Sequence, residues 1–430
     1  MDPFESLRGL VTWREPVSGE SFRFLHASDF HLENPLADLD DCPEHLTDLV
    51  VQAPRNAFEL MVEAAIEEQV DFVILSGDLI NPETAGPYGI SLLLGGFERL
   101  KEAGKQVFWS GGLSDVSARW PDSIDLPDNV TVFSPTQTQV VSVQRAGRWI
   151  CRVIGRSCSG DPVVRTQDYQ VESSELFTIG VGYGEVTSET LTENRFNYWA
   201  LGGLHQRRVF EQGNDCIAVY PGTPQGRSLS ETGQHGFDVV DVDVNQKIRV
   251  QNQSADEFRY CRVTFNEQEL AAVGCIENLI GERIYRLQGE HGSRHLLIAW
   301  EYEVEDARAM SELGDVNQIL QWARKEYGQG IPCAWSISIQ VQPPKSYPKT
   351  WSDEDTILGD FLRVATNYRV KENGLPNLTG MVEEHPEIRA GTAMRLAEVP
   401  PHRVSETLSQ ATRVGVELLR GGQSPGGNSR

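Results

Sequence analysis

The pattern of apolar and polar positions predicts a strand, a helix and a second strand near the start of the chain. Residues 22–36 begin as an apolar run that is typical of a buried strand. Residues 54–69 place apolar side chains on one helical face, and residues 70–80 form a second continuous apolar run. Strand, helix and strand in this order predict a right-handed crossover and a parallel sheet. The polar stretch 38–54 is predicted to be a connection.

The pattern predicts four parts along the whole chain. Apolar runs and helical patterns alternate up to residue 255, and a β-α-β-α-β unit with helices at 270–287 and 316–327 follows. Beyond a proline-rich linker, a capping box at Ser352 opens a helix over 352–368, and a last helix covers 402–420. The predicted parts are an irregular arm (1–20), a layered α/β domain (21–255), a small α/β domain (256–343), and a linker, helical extension and flexible tail (344–430).

Asp29 and His31 close the first apolar run. Residues two apart on a strand share one face, so their side chains are predicted to lie side by side. Ligand sites of α/β sheets form at the carboxyl ends of strands, and a carboxylate beside an imidazole suits manganese, iron or zinc. The alternative for this short pattern alone is a turn aspartate and a surface histidine. His26, on the opposite face, is predicted to be a core histidine with its hydrogen bonds satisfied.

The composition is that of an ordinary globular chain with an acidic balance. Its 430 residues are 39% hydrophobic, and the net charge is −24 from 38 basic and 62 acidic residues. Such a surface repels phosphate backbones, so any DNA contact is expected to use a local patch or a basic partner. The seven cysteines lack CxxC spacing, which predicts reduced thiols of a cytoplasmic protein. We expect no signal peptide and no membrane-spanning segment.

Five segments carry a family resemblance. They are HASDFHLENPL, DFVILSGDL, the segment ending in GLSD, YWALGGLH and YPGTPQGRSLSETGQHGF. Together they resemble calcineurin-like metallophosphoesterases, in particular the DNA-repair exonuclease subunits of the SbcD and YhaO type. The resemblance covers residues 22–255 well and the segment to 343 loosely. It implies an α/β metallophosphoesterase sandwich of mixed sheets flanked by helices, with a small α/β cap domain and a helical C-terminal extension.

The resemblance implies a metal site with one complete set of ligands. In the family, two metal ions ~3.5–4 Å apart hold the phosphodiester. The ligands of the first metal match residues that are all present, namely Asp29, His31, Asp78 and His205. This match predicts one Mn²⁺ ion, or Fe or Zn in its place. The alternative is an empty site in which these side chains hydrogen-bond one another.

The ligands of the family's second metal fall on Leu113, Tyr183 and Gly203. Leucine and glycine have no ligand atom, and a phenol is a poor ligand unless ionised, so no second metal is expected. The family's catalytic histidine falls on Ser114, whose hydroxyl cannot deliver a proton near neutral pH. General acid–base catalysis is typically worth ~10²–10⁴ in rate, and we assign no catalytic residue. Asp115 is expected to stabilise a turn.

Three arginines are candidates for a phosphate contact, namely Arg207, Arg208 and Arg227. The alternative is a solvated surface pair for the first two and a loop-stapling role for the third. Two functions remain open. We favour a catalytically degenerate subunit of a DNA double-strand-break repair complex, a pseudoenzyme. The alternative is an active single-metal phosphodiesterase or DNA exonuclease.

The two C-terminal helices carry the expectation of a partner. Residues 352–368 and 402–420 each present one apolar face. In the resembling family the segment after the cap domain packs on the coiled-coil base of an SMC-like ATPase subunit, which implies such a partner here. The alternative is that both helices fold back on the cap domain. The resemblance also implies a homodimer.

Overall fold

The computed structural model describes residues 20–39, 41–116, 120, 124–187, 190–191, 196–212, 216–304, 313–342, 347, 349–370 and 404–419. The chain divides into two compact units, residues 1–263 with 280–300 and 320–338, and residues 264–279 with 301–319 and 339–430. The four-part division made from the sequence stays a prediction, and its N-terminal arm lies outside the described residues except for Glu20. Within the described helices there is no apolar stretch long enough to cross a bilayer.

The described strands, in chain order, are β1 (Phe22–Ala27), β2 (Phe72–Leu75), β3 (Gln106–Trp109), β4 (Val130–Val132), β5 (Gln139–Arg145), β6 (Arg148–Gly155), β7 (Val163–Val164), β8 (Phe177–Tyr183), β9 (Glu185–Val186), β10 (Tyr198–Gly202), β11 (Arg208–Gln212), β12 (Cys216–Tyr220), β13 (Gly236–Val242), β14 (Ile248–Ser254), β15 (Phe258–Asn266), β16 (His295–Glu303) and β17 (Ala334–Gln342). The described helices are α1 (Glu44–Glu67), α2 (Gly86–Glu102), α3 (Glu267–Val273), α4 (Ile276–His291), α5 (Val316–Tyr327), α6 (Lys349–Asp353), α7 (Ile357–Val370) and α8 (Val404–Leu419).

Two six-stranded mixed sheets form the first unit's sandwich. The first sheet has the order β14–β13–β1–β2–β3–β4, and the second has the order β11–β12–β10–β8–β6–β5. Strand β1 pairs in parallel with β2 and antiparallel with β13. Since α1 connects β1 to β2, the predicted strand-helix-strand unit with a parallel pair is confirmed.

Apolar side chains fill both faces of the first sheet. Between the sheets, the rings of Phe24 and Phe72 stack with their centroids 5.3 Å apart, and Tyr198 meets Phe24 edge to face. On the outer face, Phe58 of α1 and Phe97 of α2 are fully buried in the same core cluster as strands β1, β2 and β3. The predicted α/β sandwich of mixed sheets flanked by helices is therefore confirmed.

A separate three-stranded sheet follows the sandwich, in the order β15–β16–β17. Within the first unit, Phe258 of β15 and Trp335 of β17 share a buried cluster with Leu46 and Val50 of α1. The N-terminal part of α1 is thus held by residues about 200 or more positions away along the chain, because apolar burial rewards contacts regardless of sequence distance.

The start of α1 corrects the predicted connection over 38–54. The helix begins at Glu44, and Pro54 lies inside it. The prediction placed the helix start at Pro54 because the apolar spacing was recognised only over residues 54–69. The predicted helix over 270–287 is also wrong in extent. It is divided into α3 and α4, and Gly274 ends α3 in a left-handed conformation with a φ of 86°.

In the second unit, α7 and α8 pack closely on each other. A Cβ atom on Gly415 would lie 2.1 Å from Cζ of Phe361, so glycine is required for this approach. Leu362 and Val416 are buried. The capping box predicted at Ser352 is wrong, because Ser352 lies inside α6. The residue before α7 is Thr356, and its hydroxyl accepts a hydrogen bond from Gly359 N.

Candidate metal centre

The candidate centre lies where the loops after β1 and β2 run side by side. The backbone N–H of Asp29 donates to the carbonyl of Gly77 at 2.9 Å, and that of His31 donates to the carbonyl of Asp78 at 3.0 Å. These bonds continue the parallel pairing of β1 and β2 beyond the last strand residues. They hold Asp29 and His31 next to Asp78.

Three of the predicted ligands have a left-handed backbone. The φ angles are 56° at Asp29, 46° at His31 and 51° at Asp78, a region that is uncommon for residues other than glycine but better tolerated by Asp and His. Since β1 ends at Ala27, the prediction that strand alternation brings Asp29 and His31 together is wrong, and turn geometry does so instead. Strained backbone that clusters in this way is typical of functional sites.

Asp29, His31 and His205 form the cluster itself. Each offers one ligand atom, and these atoms lie within 4.8 Å of one another. Asp29 is fully buried and accepts hydrogen bonds from Gly203 N at 3.0 and 3.2 Å. The Nε2 atom of His31 is buried without a hydrogen-bond partner among the described residues. A buried carboxylate, a second imidazole and an unpartnered imidazole nitrogen fit a divalent transition metal.

The electrostatics of the cluster agree with a cation. Burial raises the pKa of Asp29 to about 6. Burial and the charge of Arg227 lower the pKa of His31 to about 4, which keeps the imidazole neutral. A bound cation requires the neutral form of a histidine and stabilises the charged form of a carboxylate.

Glu231 lies behind His205 and was missed by the sequence reasoning. Its Oε1 atom is 2.6 Å from Nδ1 of His205. This hydrogen bond raises the pKa of His205. Burial opposes the charge of Glu231, but the bond to His205 and the charge of Arg227 outweigh it and hold the Glu231 pKa at about 2. With Nδ1 held by a carboxylate, Nε2 of His205 is left for a ligand. No sequence pattern marks this glutamate, because its role depends on a contact with a residue 26 positions away.

Asp78, the fourth predicted ligand, lies beside the cluster and is bound by other groups. Ser114 N donates to its Oδ1 at 2.7 Å, and the hydroxyl of Tyr183 donates to its Oδ2 at 2.5 Å. Nε2 of His31 lies 3.8 Å from the same Oδ2 atom. Burial and the charge of Asp78 raise the pKa of Tyr183 far above its usual range, so the hydroxyl stays protonated.

Two further predictions about single residues are confirmed. Asp115 accepts hydrogen bonds from the backbone N–H groups of Asp78, Leu79 and Gly112, which makes it a turn-stabilising carboxylate. His26 lies in the core, with Nδ1 3.0 Å from the Tyr198 hydroxyl and Nε2 2.7 Å from the Ser76 hydroxyl. Leu113 is 39% exposed at the edge of the site.

The three candidate arginines occupy different positions. Nη2 of Arg227 lies 3.1 Å from Nδ1 of His205 and 3.3 Å from Oε1 of Glu231, so the structure brings Arg227 to the cluster. Nε of Arg207 donates to the buried carboxylate of Asp238 at 2.9 Å, which commits its charge to that residue. Arg208 is exposed at the start of β11.

Comparisons with known proteins give two sequence relatives. Uncharacterized metallophosphoesterase YhaO of Bacillus subtilis (strain 168) is 27% identical over 280 residues, which cover 62% of this chain and 68% of that protein. DNA double-strand break repair protein Mre11 of Methanocaldococcus jannaschii is 23% identical over 216 residues, which cover 47% of this chain. The chain spans little more than half of this second relative, 56% of its length.

A scan of protein-family models gives no match. Among solved structures, the phosphoesterase Yfce from E. coli is 14% identical and matches 54% of this chain and 98% of that chain, with a TM-score of 0.26 that is too low to support an argument. In this chain, a sandwich of two six-stranded sheets carries the cluster of Asp29, His31 and His205. The similarity to YhaO is a similarity to a metallophosphoesterase, and it agrees with the resemblance carried by the sequence motifs.

Proposed function

We propose that this chain is a catalytically degenerate subunit of a DNA double-strand-break repair complex that binds one metal ion and does not cleave DNA. One observation carries the proposal. Asp29, His31 and His205 converge on one point, whereas the positions that match the family's second metal hold Leu113 and Gly203, which have no ligand atom, and Tyr183, whose hydroxyl is bound to a carboxylate.

The residues of the cluster have distinct roles in this proposal. Asp29, His31 and His205 hold the ion, which is Mn²⁺, Fe or Zn, and Glu231 fixes the orientation of His205. The metal supplies Lewis acidity when bound. Ser114 occupies the family's catalytic histidine position and contributes its backbone N–H to Asp78. The hydroxyl of Ser114 cannot deliver a proton to a leaving oxygen near neutral pH, so the family's proton donor is lost at this position.

Metal stoichiometry and DNA cleavage test the proposal together. Protein loaded with manganese and passed through gel filtration is expected to retain one equivalent by elemental analysis. Manganese-dependent cleavage of single- or double-stranded DNA is expected to be absent. Two retained equivalents contradict the one-metal site, and robust cleavage that disappears in His205→Ala contradicts the degenerate assignment.

An active single-metal phosphodiesterase is the second candidate function. It is favoured by the retention of strained backbone at Asp29 and His31, because strain of this kind is maintained where a site works. A synthetic phosphodiester with a good leaving group discriminates between the two, since it does not need a general acid. Turnover of this substrate without DNA cleavage supports a metal site that has lost its proton donor.

The partner proposed for this subunit is an SMC-like coiled-coil ATPase, and the proposed docking surface is the outer face of α7 and α8. Val364 and Leu418 are each 52% exposed although both are apolar. The net charge of −24 supports a partner that brings DNA to the complex. The full chain carrying Val364→Glu and Leu418→Glu is expected to lose capture of the ATPase. The matched control is Val140→Glu on β5, where valine is 50% exposed in the other unit.

The proposal has two further features, a cytoplasmic location argued from the cysteines and a homodimer implied by the family resemblance. All seven cysteines have free thiols, which supports a reducing, cytoplasmic compartment. A homodimer is proposed as well, and light scattering of the purified chain measures it.

A further inference from the structure

Tyr183 ends β8 with its side chain directed at Asp78. Asp78 is 4% exposed, and a carboxylate buried to this degree needs donors or a cation to offset the loss of hydration. In the described site it has two donors, the N–H of Ser114 on Oδ1 and the hydroxyl of Tyr183 on Oδ2. The Tyr183 bond is 2.5 Å long, as expected for a hydroxyl that donates to a charged oxygen.

The ring of Tyr183 occupies a space that backbone glycines leave open. A Cβ atom on Gly77 would lie 2.4 Å from Cδ2 of the ring, and one on Gly112 would lie 2.7 Å from Cε2. A Cβ atom on Gly203 would lie 3.2 Å from Cζ. The first two distances are shorter than any real Cβ contact, so a side chain at Gly77 or Gly112 would displace the ring.

At the position of the family's second metal, the ligands are missing and the side chain of Tyr183 fills the space. We infer that Tyr183 takes the place of a second cation: its hydroxyl donates to Asp78 where the ion would bind, and its ring fills the volume between Gly77, Gly112 and Gly203. The inference rests on the proposed one-metal site and makes Tyr183 the residue that limits the stoichiometry. Tyr183 is a positioning residue, since it acts through Asp78.

Tyr183 also affects the proposed metal site of Asp29, His31 and His205 through Asp78. Oδ2 of Asp78 lies 3.8 Å from the unpartnered Nε2 of His31, close enough to contribute to the same ion. A hydroxyl that donates to Oδ2 lowers the electron density this oxygen offers to a metal. Removing the hydroxyl should therefore tighten metal binding and, without metal, leave a buried carboxylate short of a donor.

The first experiment uses Tyr183→Phe in the full chain, which removes the hydroxyl and keeps the ring. Mn²⁺ binding by calorimetry is expected to tighten about tenfold, the scale of one hydrogen bond to a charged group, with one equivalent bound. The melting temperature of the metal-free protein is expected to fall. The matched control is Tyr169→Phe, because the Tyr169 hydroxyl is buried and donates to the carbonyl of Val181 at 2.9 Å. It is expected to lower the melting temperature and leave Mn²⁺ affinity unchanged.

A second experiment works without any metal. A double-mutant cycle of Tyr183→Phe and Asp78→Asn in metal-free protein is expected to show a coupling of about tenfold in the unfolding constant. Negligible coupling overturns the inference, as does an unchanged Mn²⁺ affinity in Tyr183→Phe. DNA cleavage by the unaltered chain contradicts the proposed function alone, because neither readout of the Tyr183 experiments depends on turnover.

Discussion

Buried negative charge is stabilised differently on the two sides of Asp78, where the cluster of Asp29, His31 and His205 lies on one side and Tyr183 on the other. On one side, Asp29 has a backbone N–H as its donor and lies beside His31, whose Nε2 atom has no partner among the described residues. On the other side, the hydroxyl of Tyr183 is bound to Asp78 and its ring is packed against glycines. The first side is incomplete without a cation, and the second is complete without one.

Under the proposed one-metal site, the comparison gives a physical route from two metals to one without loss of the fold. Deleting ligands alone would leave Asp78 buried and short of a partner, at a cost of about 1–3 kcal/mol or more for a charged group. The phenol of Tyr183 donates a hydrogen bond to Asp78 in place of a positive charge, and its ring fills the volume between Gly77, Gly112 and Gly203. On the other side, burial raises the pKa of Asp29 to about 6.

The largest expected effect is on manganese retention by the cluster of Asp29, His31 and His205. Asp29→Ala should abolish retention of manganese after gel filtration, because it removes the carboxylate of a three-residue cluster. The loss should exceed the ~10–100-fold that removal of an outer partner of a metal ligand typically costs. Asp128→Ala, at an exposed carboxylate, is the control. Full retention of manganese in Asp29→Ala would place the metal elsewhere.

A smaller effect on Mn²⁺ affinity is expected from Glu231, which contacts the ligand His205 and not the metal itself. Glu231→Ala removes the acceptor on Nδ1 of His205 and should weaken Mn²⁺ binding ~10–100-fold. Glu231→Gln keeps an oxygen acceptor and removes the charge, so its loss should be the smaller of the two. Calorimetric titration of both variants provides the measurement. Equal affinities for Glu231→Ala and the unaltered chain would show that His205 needs no orientation by Glu231.

The two sides should also respond differently to pH. Glu231 raises the pKa of His205, so protons compete with metal as the pH falls through that pKa, and affinity should drop about tenfold per pH unit below it. In Glu231→Gln the drop should begin at a lower pH. The pKa of Tyr183 lies far above its usual range, so its hydroxyl does not titrate near neutral pH. The stability lost in Tyr183→Phe should therefore be constant within about one pH unit of neutrality. Calorimetry and thermal unfolding across this range check both expectations.

The sequence predicted the chemistry of the site better than its geometry. Asp29, His31 and His205 were identified from short motifs, and they do converge. The reason given for the first two was wrong, because left-handed turns after β1 orient them and the spacing of residues does not reveal backbone angles. Glu231 was missed because its role depends on a contact with a residue 26 positions away, and an isolated glutamate in a loop has no pattern.

The role of Tyr183 could not be predicted for a similar reason. The sequence predicted that its phenol is a poor metal ligand, but the space for its ring comes from glycines in three separate segments. The early start of α1 has the same origin, since Leu46 and Val50 are buried against Phe258 and Trp335. Periodicity in a short window contains none of these long-range contacts, which explains why element types were predicted well and their limits less well.

The smallest expected effect is that of restoring one family ligand on the complete side. Leu113→Asn changes a residue that is 39% exposed, so the free energy of unfolding should change by only about 0.5 kcal/mol. The stoichiometry of Mn²⁺ should stay at one, because Tyr183 still donates to Asp78 and its ring still lies against Gly203, where the family has a histidine. Elemental analysis after gel filtration measures this, with the unaltered chain beside it. A second equivalent bound by Leu113→Asn alone would mean that the ring of Tyr183 does not fill the second position, and the difference between the two sides of Asp78 would then come from missing ligands only.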